Sequence, residues 1–262
     1  MGKRTLIIGN WKMNLTVHEA SLYVHKLDKV IQNHRNVEAV LAPGFLALPT
    51  LNLQIDHKKF KLCTQDLYWR DEGAFTGEVS AHQLRGLVKY ALIGHSERRH
   101  IFHEHDKDIR AKVQAAVRNH ITPVLCVGET AAERADGETV AVLRDQLTGG
   151  LANLTAEEAA GTVIAYEPVW AISSGKDFAG HPVATPGNVA EAIKHIRRQV
   201  AHLFGKATAE QIRVIYGGSV DSSNAGSFFS VTDLDGLLPG GASLRAEQFT
   251  AIIKAAHERK GY

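Results

Sequence analysis

Glu167 closes a short apolar run, Val163–Tyr166, and is followed at once by Pro168, Val169 and Trp170. Four β-branched and apolar residues in a row read as a buried strand. The proline stops it, because it has no N–H and holds φ fixed. A Gly/Ser/Ala-rich stretch from Ala171 to Thr185 comes next. A carboxylate at a strand tip under a long loop is well placed to act as a general base away from water. A structural Glu paired at the rim of a sheet is the competing reading, and for one Glu taken alone it is the commoner case.

Other apolar runs also end on chemistry. Thr5–Ile8 leads into Gly9-Asn10-Trp11-Lys12, and Tyr90–Ile93 into Gly94-His95-Ser96-Glu97-Arg98. Arg213–Tyr216 leads into Gly217-Gly218-Ser219, and Leu234–Leu238 into Gly240-Gly241-Ala242-Ser243. Turns without Cβ atoms let backbone N–H groups approach an anion, and a helix start behind them adds a favourable dipole. The plainer alternative is that these glycines only make tight turns. Lys12 could hold a phosphate and stabilise negative charge growing on a carbonyl oxygen, or it could simply be solvated. His95 has no second ligand at a recognisable zinc spacing. His100, His103 and His105 carry no H-E-x-x-H pattern and precede an expected helix cap at Asp106, so they read as a wet connection. A base (Glu167), an electrophile (His95) and a cation (Lys12) around an anion cradle suit proton abstraction beside a carbonyl in a small phosphorylated substrate. That chemistry calls for no metal and no organic cofactor.

These groups must be positioned by the intervening elements. Further apolar runs at Val37–Ala42, Lys61–Thr64 and Pro123–Val127 bring the expected strands to eight, with helical patterns between most of them. Ala20, Tyr23, Val24, Leu27, Val30 and Ile31 share one helical face, as do Val140, Leu143, Leu147, Leu151 and Leu154. A third face carries Val189, Ile193, Ile196, Val200 and Leu203, and a fourth Phe249, Ile252, Ile253 and Ala256. Thr185 before Pro186 reads as a helix cap with proline in the first turn. Eight βα units in 262 residues predict a closed (β/α)8 barrel, one domain over residues 1–262. An open doubly wound sheet is the alternative, but no G-x-G-x-x-G follows the first strand. In such barrels the reacting groups sit on the loops after the strands, where the residues above fall.

Bulk properties narrow the class. A net charge of +2 and a pI near 8.5, with basic residues dispersed, leave no nucleic-acid footprint. Cys63 and Cys126 both lie in apolar runs and read as reduced core thiols of a cytosolic protein. The apolar run Leu6–Ile8 is too short for a signal peptide, and no stretch approaches a membrane span. A cytoplasmic protein, bound to neither nucleic acid nor membrane, is expected.

With these motifs assembled, the chain resembles the triosephosphate isomerase family nearly end to end. The resemblance is carried by Gly9-Asn10-Trp11-Lys12-Met13-Asn14, Gly73-Ala74-Phe75-Thr76-Gly77-Glu78 and Gly94-His95-Ser96-Glu97-Arg98-Arg99. It continues through Cys126-Val127-Gly128-Glu129, Ala165 to Ile172, Tyr216-Gly217-Gly218-Ser219-Val220 and Gly240-Gly241-Ala242-Ser243-Leu244. It implies a TIM barrel that interconverts dihydroxyacetone phosphate and D-glyceraldehyde 3-phosphate through an enediolate, in glycolysis and gluconeogenesis. It implies that Glu167 shuttles the proton and that neutral His95 polarises the carbonyl. Lys12 and Asn10 would hold substrate, with Glu97 ordering Lys12 and assisting proton movement. Backbone N–H groups of Ser173, Ser219, Gly240 and Gly241 would bind phosphate, and Tyr216 and Ser219 would latch a closed flap. It also implies a homodimer docked through the loop around Phe75 and Thr76, and no cofactor.

The chain departs from the family pattern in places. Ser173-Ser174-Gly175 stands where Gly-Thr-Gly is common, and the segment 176–183 is longer than usual. Pro239 replaces a β-branched residue, and Asp66 and Asp221 stand where Asn is frequent, both expected to be peripheral. Two other functions are compatible with the same cradle: a different cofactor-free sugar-phosphate enzyme, and a non-catalytic binding or adhesion role.

Overall fold

Parallel strands need a crossover of a dozen or more residues, and the chain supplies one, mostly helical, after nearly every apolar run. The computed structural model describes residues 3–172 and 183–259. Its strands are β1 Thr5–Asn10, β2 Val37–Ala42, β3 Phe60–Thr64 and β4 Tyr90–Ile93. They continue as β5 Thr122–Val127, β6 Val163–Tyr166, β7 Arg213–Tyr216 and β8 Gly236–Leu237. All pair in parallel and in sequence order, and β8 returns to β1 with Leu6 opposite Gly236. That closure is the (β/α)8 barrel expected, and it leaves no edge for an open sheet.

Each strand is buried on both faces, which is why its sequence reads as a continuous apolar run. Leu6, Ile8, Val40, Leu92, Val124 and Ile215 fill the barrel centre, while Ile7, Leu41, Ile93, Leu125 and Val214 pack outward against helices. Cys63 and Cys126 belong to the central cluster, and both are free.

The helices are set by their caps. Thr16 and Glu19 form a reciprocal capping box at the start of Val17–Val30. Thr185 does the same with Asn188 ahead of Pro186–Phe204, with proline in the first turn and Val189, Ile193, Ile196 and Val200 buried. Val30 and Val140, expected on buried faces, are 47% and 48% exposed. They sit at a helix end, where the apolar stripe has run past the core. The helix Asp106–Arg118 is capped by His105, one residue before the expected Asp106; the His105 N–H donates to Asp108.

β8 is shorter than the Leu234–Leu238 expected. Its Gly236 lies so close to β1 that a Cβ would stand 1.8 Å from the Leu6 carbonyl oxygen. Flanking residues keep the register, with Asp235 N–H donating to Val214 O and Leu238 N–H to Tyr216 O. Among the described residues no helix is long and apolar enough to cross a membrane.

Candidate active site

At the carboxyl ends of the strands lies a cavity of about 590 Å³. Asn10, Lys12, His95, Ser219, Gly240 and Gly241 line it, with Ile172 and Leu238 as apolar walls. Residues far apart in the chain therefore converge at one rim. Ser173 lies outside the described residues.

The Lys12 backbone is in the left-handed region (φ 52°), which costs a residue with a Cβ. Two side chains hold it there: Asn10 Oδ1 accepts from the Lys12 N–H at 3.0 Å, and Gln65 Nε2 donates to the Lys12 carbonyl at 2.8 Å. Gln65 also donates to Ala42 O, tying the first loop to the end of β2. The Lys12 ammonium then meets Glu97 Oε1 at 2.6 Å, both only partly exposed.

Gly94 turns the chain out of β4 at φ 70°. Arg99 fixes that turn by donating from Nε to Gly94 O at 2.8 Å and from Nη2 to Cys126 O at 3.2 Å. His95 caps the short helix Ser96–His100, and its Nδ1 accepts the Glu97 N–H at 3.2 Å. An accepting Nδ1 carries no proton, so the hydrogen bond assigns the ring proton to Nε2. Nε2 lies 3.3 Å from Glu167 Oε1.

Glu167 is 1% exposed and does not line the cavity; its carboxylate lies behind His95 and Gly217. Oε2 accepts the Ser96 N–H at 3.0 Å, whereas Oε1 has no hydrogen-bond partner. A buried carboxylate oxygen with no hydrogen bond, 3.3 Å from His95 Nε2, is costly for a structural group and useful for a proton acceptor. Gly217 makes room for it: a Cβ there would come 2.9 Å from Glu167 Cγ. Gly128 supports the strand behind, since a Cβ would stand 1.9 Å from the Glu167 carbonyl oxygen.

The turn Val169–Ala171 is clamped by a residue that the sequence singled out only as part of a motif. Glu129, fully buried, accepts from Trp170 Nε1 at 2.8 Å and from the Tyr166 hydroxyl at 3.1 and 3.2 Å. Arg134 lies over the Trp170 ring at 4.0 Å and pairs with Glu129 at 3.5 Å. Burial pushes the Tyr166 phenol up, helped by the Glu129 charge, so it stays a donor. Ser219 donates from both its N–H and its hydroxyl to Ala171 O, at 3.2 and 2.8 Å. Its N–H is thus engaged by the turn that follows Pro168.

Of the two aspartate departures, Asp66 lies off the cavity in a buried ion cluster, whereas Asp221, expected to be peripheral, lines the cavity. Asp66 is buried and pairs with Lys112 at 2.7 Å and Arg98 at 3.0 Å, with Glu104 bonded to the same two cations. Asp221 lines the cavity and accepts from Ser223 and Asn224 in a local turn. Gln65 and the partners of Asp66 did not stand out in the sequence, because isolated polar residues carry no motif of their own.

Comparison with known proteins points the same way as this geometry. The profile of the family described as Triosephosphate isomerase matches residues 5–256. The chain is 42% identical over 253 residues to the triosephosphate isomerase of Citrifermentans bemidjiense, covering 96% of this chain and 98% of that one. Identity and coverage are the same for the triosephosphate isomerase of Endomicrobium trichonymphae. For that of Carboxydothermus hydrogenoformans the identity is 42% over 255 residues, covering 97% and 99%. With the barrel closed and the likeness running through both chains almost from end to end, this protein belongs to the triosephosphate isomerase family.

Proposed function

We propose that this chain interconverts dihydroxyacetone phosphate and D-glyceraldehyde 3-phosphate, acting in glycolysis and gluconeogenesis in the cytoplasm. The observation that carries the reading is Glu167: a buried carboxylate with one oxygen held by the Ser96 N–H and the other accepting no hydrogen bond, 3.3 Å from a histidine Nε2, behind a lysine-lined cavity.

The substrate's phosphate is held by the backbone N–H groups of Gly240, Gly241, Ser219 and Ser173, with the Lys12 side chain beside Gly240. Ser219 can bind it once its N–H leaves Ala171 O. Asn10 and Lys12 position the three-carbon body. Glu167 rotates past Gly217 into the cavity and takes the proton from C1, and the electron pair moves into the C1–C2 bond as the carbonyl oxygen becomes negative. His95 Nε2–H and Lys12 stabilise that oxygen, and Glu97 keeps Lys12 in place. His95 Nε2 gives its proton to that oxygen and takes one from the C1 hydroxyl. Return of the proton from Glu167 to C2 then leaves an aldehyde at C1 and a hydroxyl at C2, an isomerisation with no net redox change that these side chains can carry out without metal or organic cofactor.

The homodimer is part of the same proposal. Met13, Leu46, Phe75 and Phe102 are 98%, 86%, 39% and 63% exposed. They follow β1, β2, β3 and β4 respectively, strands that neighbour one another around the barrel. Exposed apolar side chains gathered on one half of the rim, next to Lys12, favour docking of a second copy through the loop around Phe75 and Thr76. Sedimentation at micromolar protein should give twice the 28.6 kDa chain mass; a fully active monomer would refute the need for pairing.

The test of the activity is a coupled turnover assay on D-glyceraldehyde 3-phosphate, with and without phosphoglycolate, a mimic of the enediolate. Turnover with competitive inhibition is expected. Turnover indifferent to a saturating dose, or no turnover by the folded protein, would overturn the proposal.

A further inference from the structure

A second cavity, of about 850 Å³, opens at the other end of the barrel, between the helix Pro186–Phe204 and the chain entering β1. Seven Lys and Arg side chains line it against three carboxylates, Glu210, Asp233 and Asp235. The local excess of positive charge is larger than the net +2 of the whole chain, so the remaining molecule is slightly acidic. Charge this concentrated, in a concave site with low-dielectric walls, focuses potential on whatever enters.

Most of these cations are engaged by the fold. Arg197 donates to Asp235 and to three backbone carbonyls, Arg4 pairs with Glu38, and Lys3 donates to the Glu210 and Ile212 carbonyls. Lys194 and Arg198 differ. They stand four residues apart on one helix face, both exposed, and neither makes an ion pair or hydrogen bond among the described residues. Like charges at that spacing repel. Beside them the Arg197 Nε is buried without an acceptor. Between the charges lies an apolar floor that includes Ala190, Ile193, Ala201 and Ala209.

We propose that this cavity binds a small organic polyanion of nucleotide size, with Lys194 and Arg198 holding its anionic groups and the Ile193 floor taking its apolar part. The volume lies within the usual range for such ligands, about 300–1,000 Å³. The site is on the opposite face from the catalytic cavity and does not depend on the isomerase reading.

The test is calorimetric titration of the full-length protein with adenosine triphosphate and, separately, inorganic triphosphate, with phosphoglycolate saturating the other cavity. Saturable binding that weakens with salt is expected, with the nucleotide bound more tightly than triphosphate. The double variant Lys194→Ala, Arg198→Ala should lose roughly tenfold or more in affinity, as two charge-assisted contacts are removed. The swap Lys194→Arg, Arg198→Lys should retain binding, and isomerase turnover should be unchanged in both. No saturable binding at low ionic strength, binding unaffected by the alanine pair, or equal affinity for the two probes would each overturn the proposal.

Discussion

Replacing Glu129 by leucine tests how the turn Val169–Ala171 is anchored. The carboxylate is fully buried and accepts from Tyr166 and Trp170, while the Arg134 pair is 39% exposed on the arginine side. The arginine contribution is therefore screened and is left out. A buried donor, Tyr166, and a half-buried one, Trp170, lose their acceptor, at about 1–3 kcal/mol each, and the leucine recovers about 1–2 kcal/mol of apolar burial. With each contribution at mid-range the net loss should be about 2.5 kcal/mol, which for a chain of this size lowers Tm by roughly 5–10 °C. Glu129→Gln, which keeps an acceptor, should lose less. Urea unfolding at fixed protein concentration measures both, with Trp170 fluorescence as a local readout. A Glu129→Leu protein within about 0.5 kcal/mol of wild type, the ordinary range for surface changes, would show that the clamp is not structural.

Two further predictions follow from the packing and the charges. Gly217→Ala places a methyl 2.9 Å from Glu167 Cγ and should lower kcat, by about 10²-fold for a displacement near 1 Å. In the Glu167→Gln background the same change should have little further effect, and full additivity would mean that it does not act through the carboxylate. Glu38 is buried, which alone would raise its pKa, but Lys89 at 2.5 Å, Arg4 and Arg213 outweigh burial and hold it below the usual range. Its stabilisation is therefore complete above the unfolded value of about 4.3 and is lost as pH falls through the lower folded value. Glu38→Gln should be less stable at neutral pH, with the gap closing in acid; parallel stability curves would contradict this.

The parts of the fold that were legible are those in which one residue type satisfies both faces of a strand. β2, β4, β6 and β7 begin and end where their apolar runs do. β8 was harder, because its pairing depends on Gly236 meeting the Leu6 backbone, a contact between distant segments. Lys12, His95 and Glu167 stood out because each follows a strand and belongs to a recognisable segment. What was not legible is the scaffolding around them: Gln65 under Lys12, Arg99 on Gly94, and the Asp66–Lys112–Glu104–Arg98 cluster. Those partners lie up to 53 residues apart, and their side chains gain meaning only once the barrel brings them together. Nor does residue order say that Glu167 lies behind the cavity wall, since that depends on its rotamer and on Gly217.

The proposed mechanism assigns the proton transfer to one carboxylate, Glu167. Steady-state turnover of Glu167→Gln with D-glyceraldehyde 3-phosphate, alongside its affinity for phosphoglycolate, tests it most directly. A fall in kcat of about 10²–10⁴-fold is expected, in a folded protein that still binds the inhibitor. A variant that turns over at the wild-type rate would contradict it.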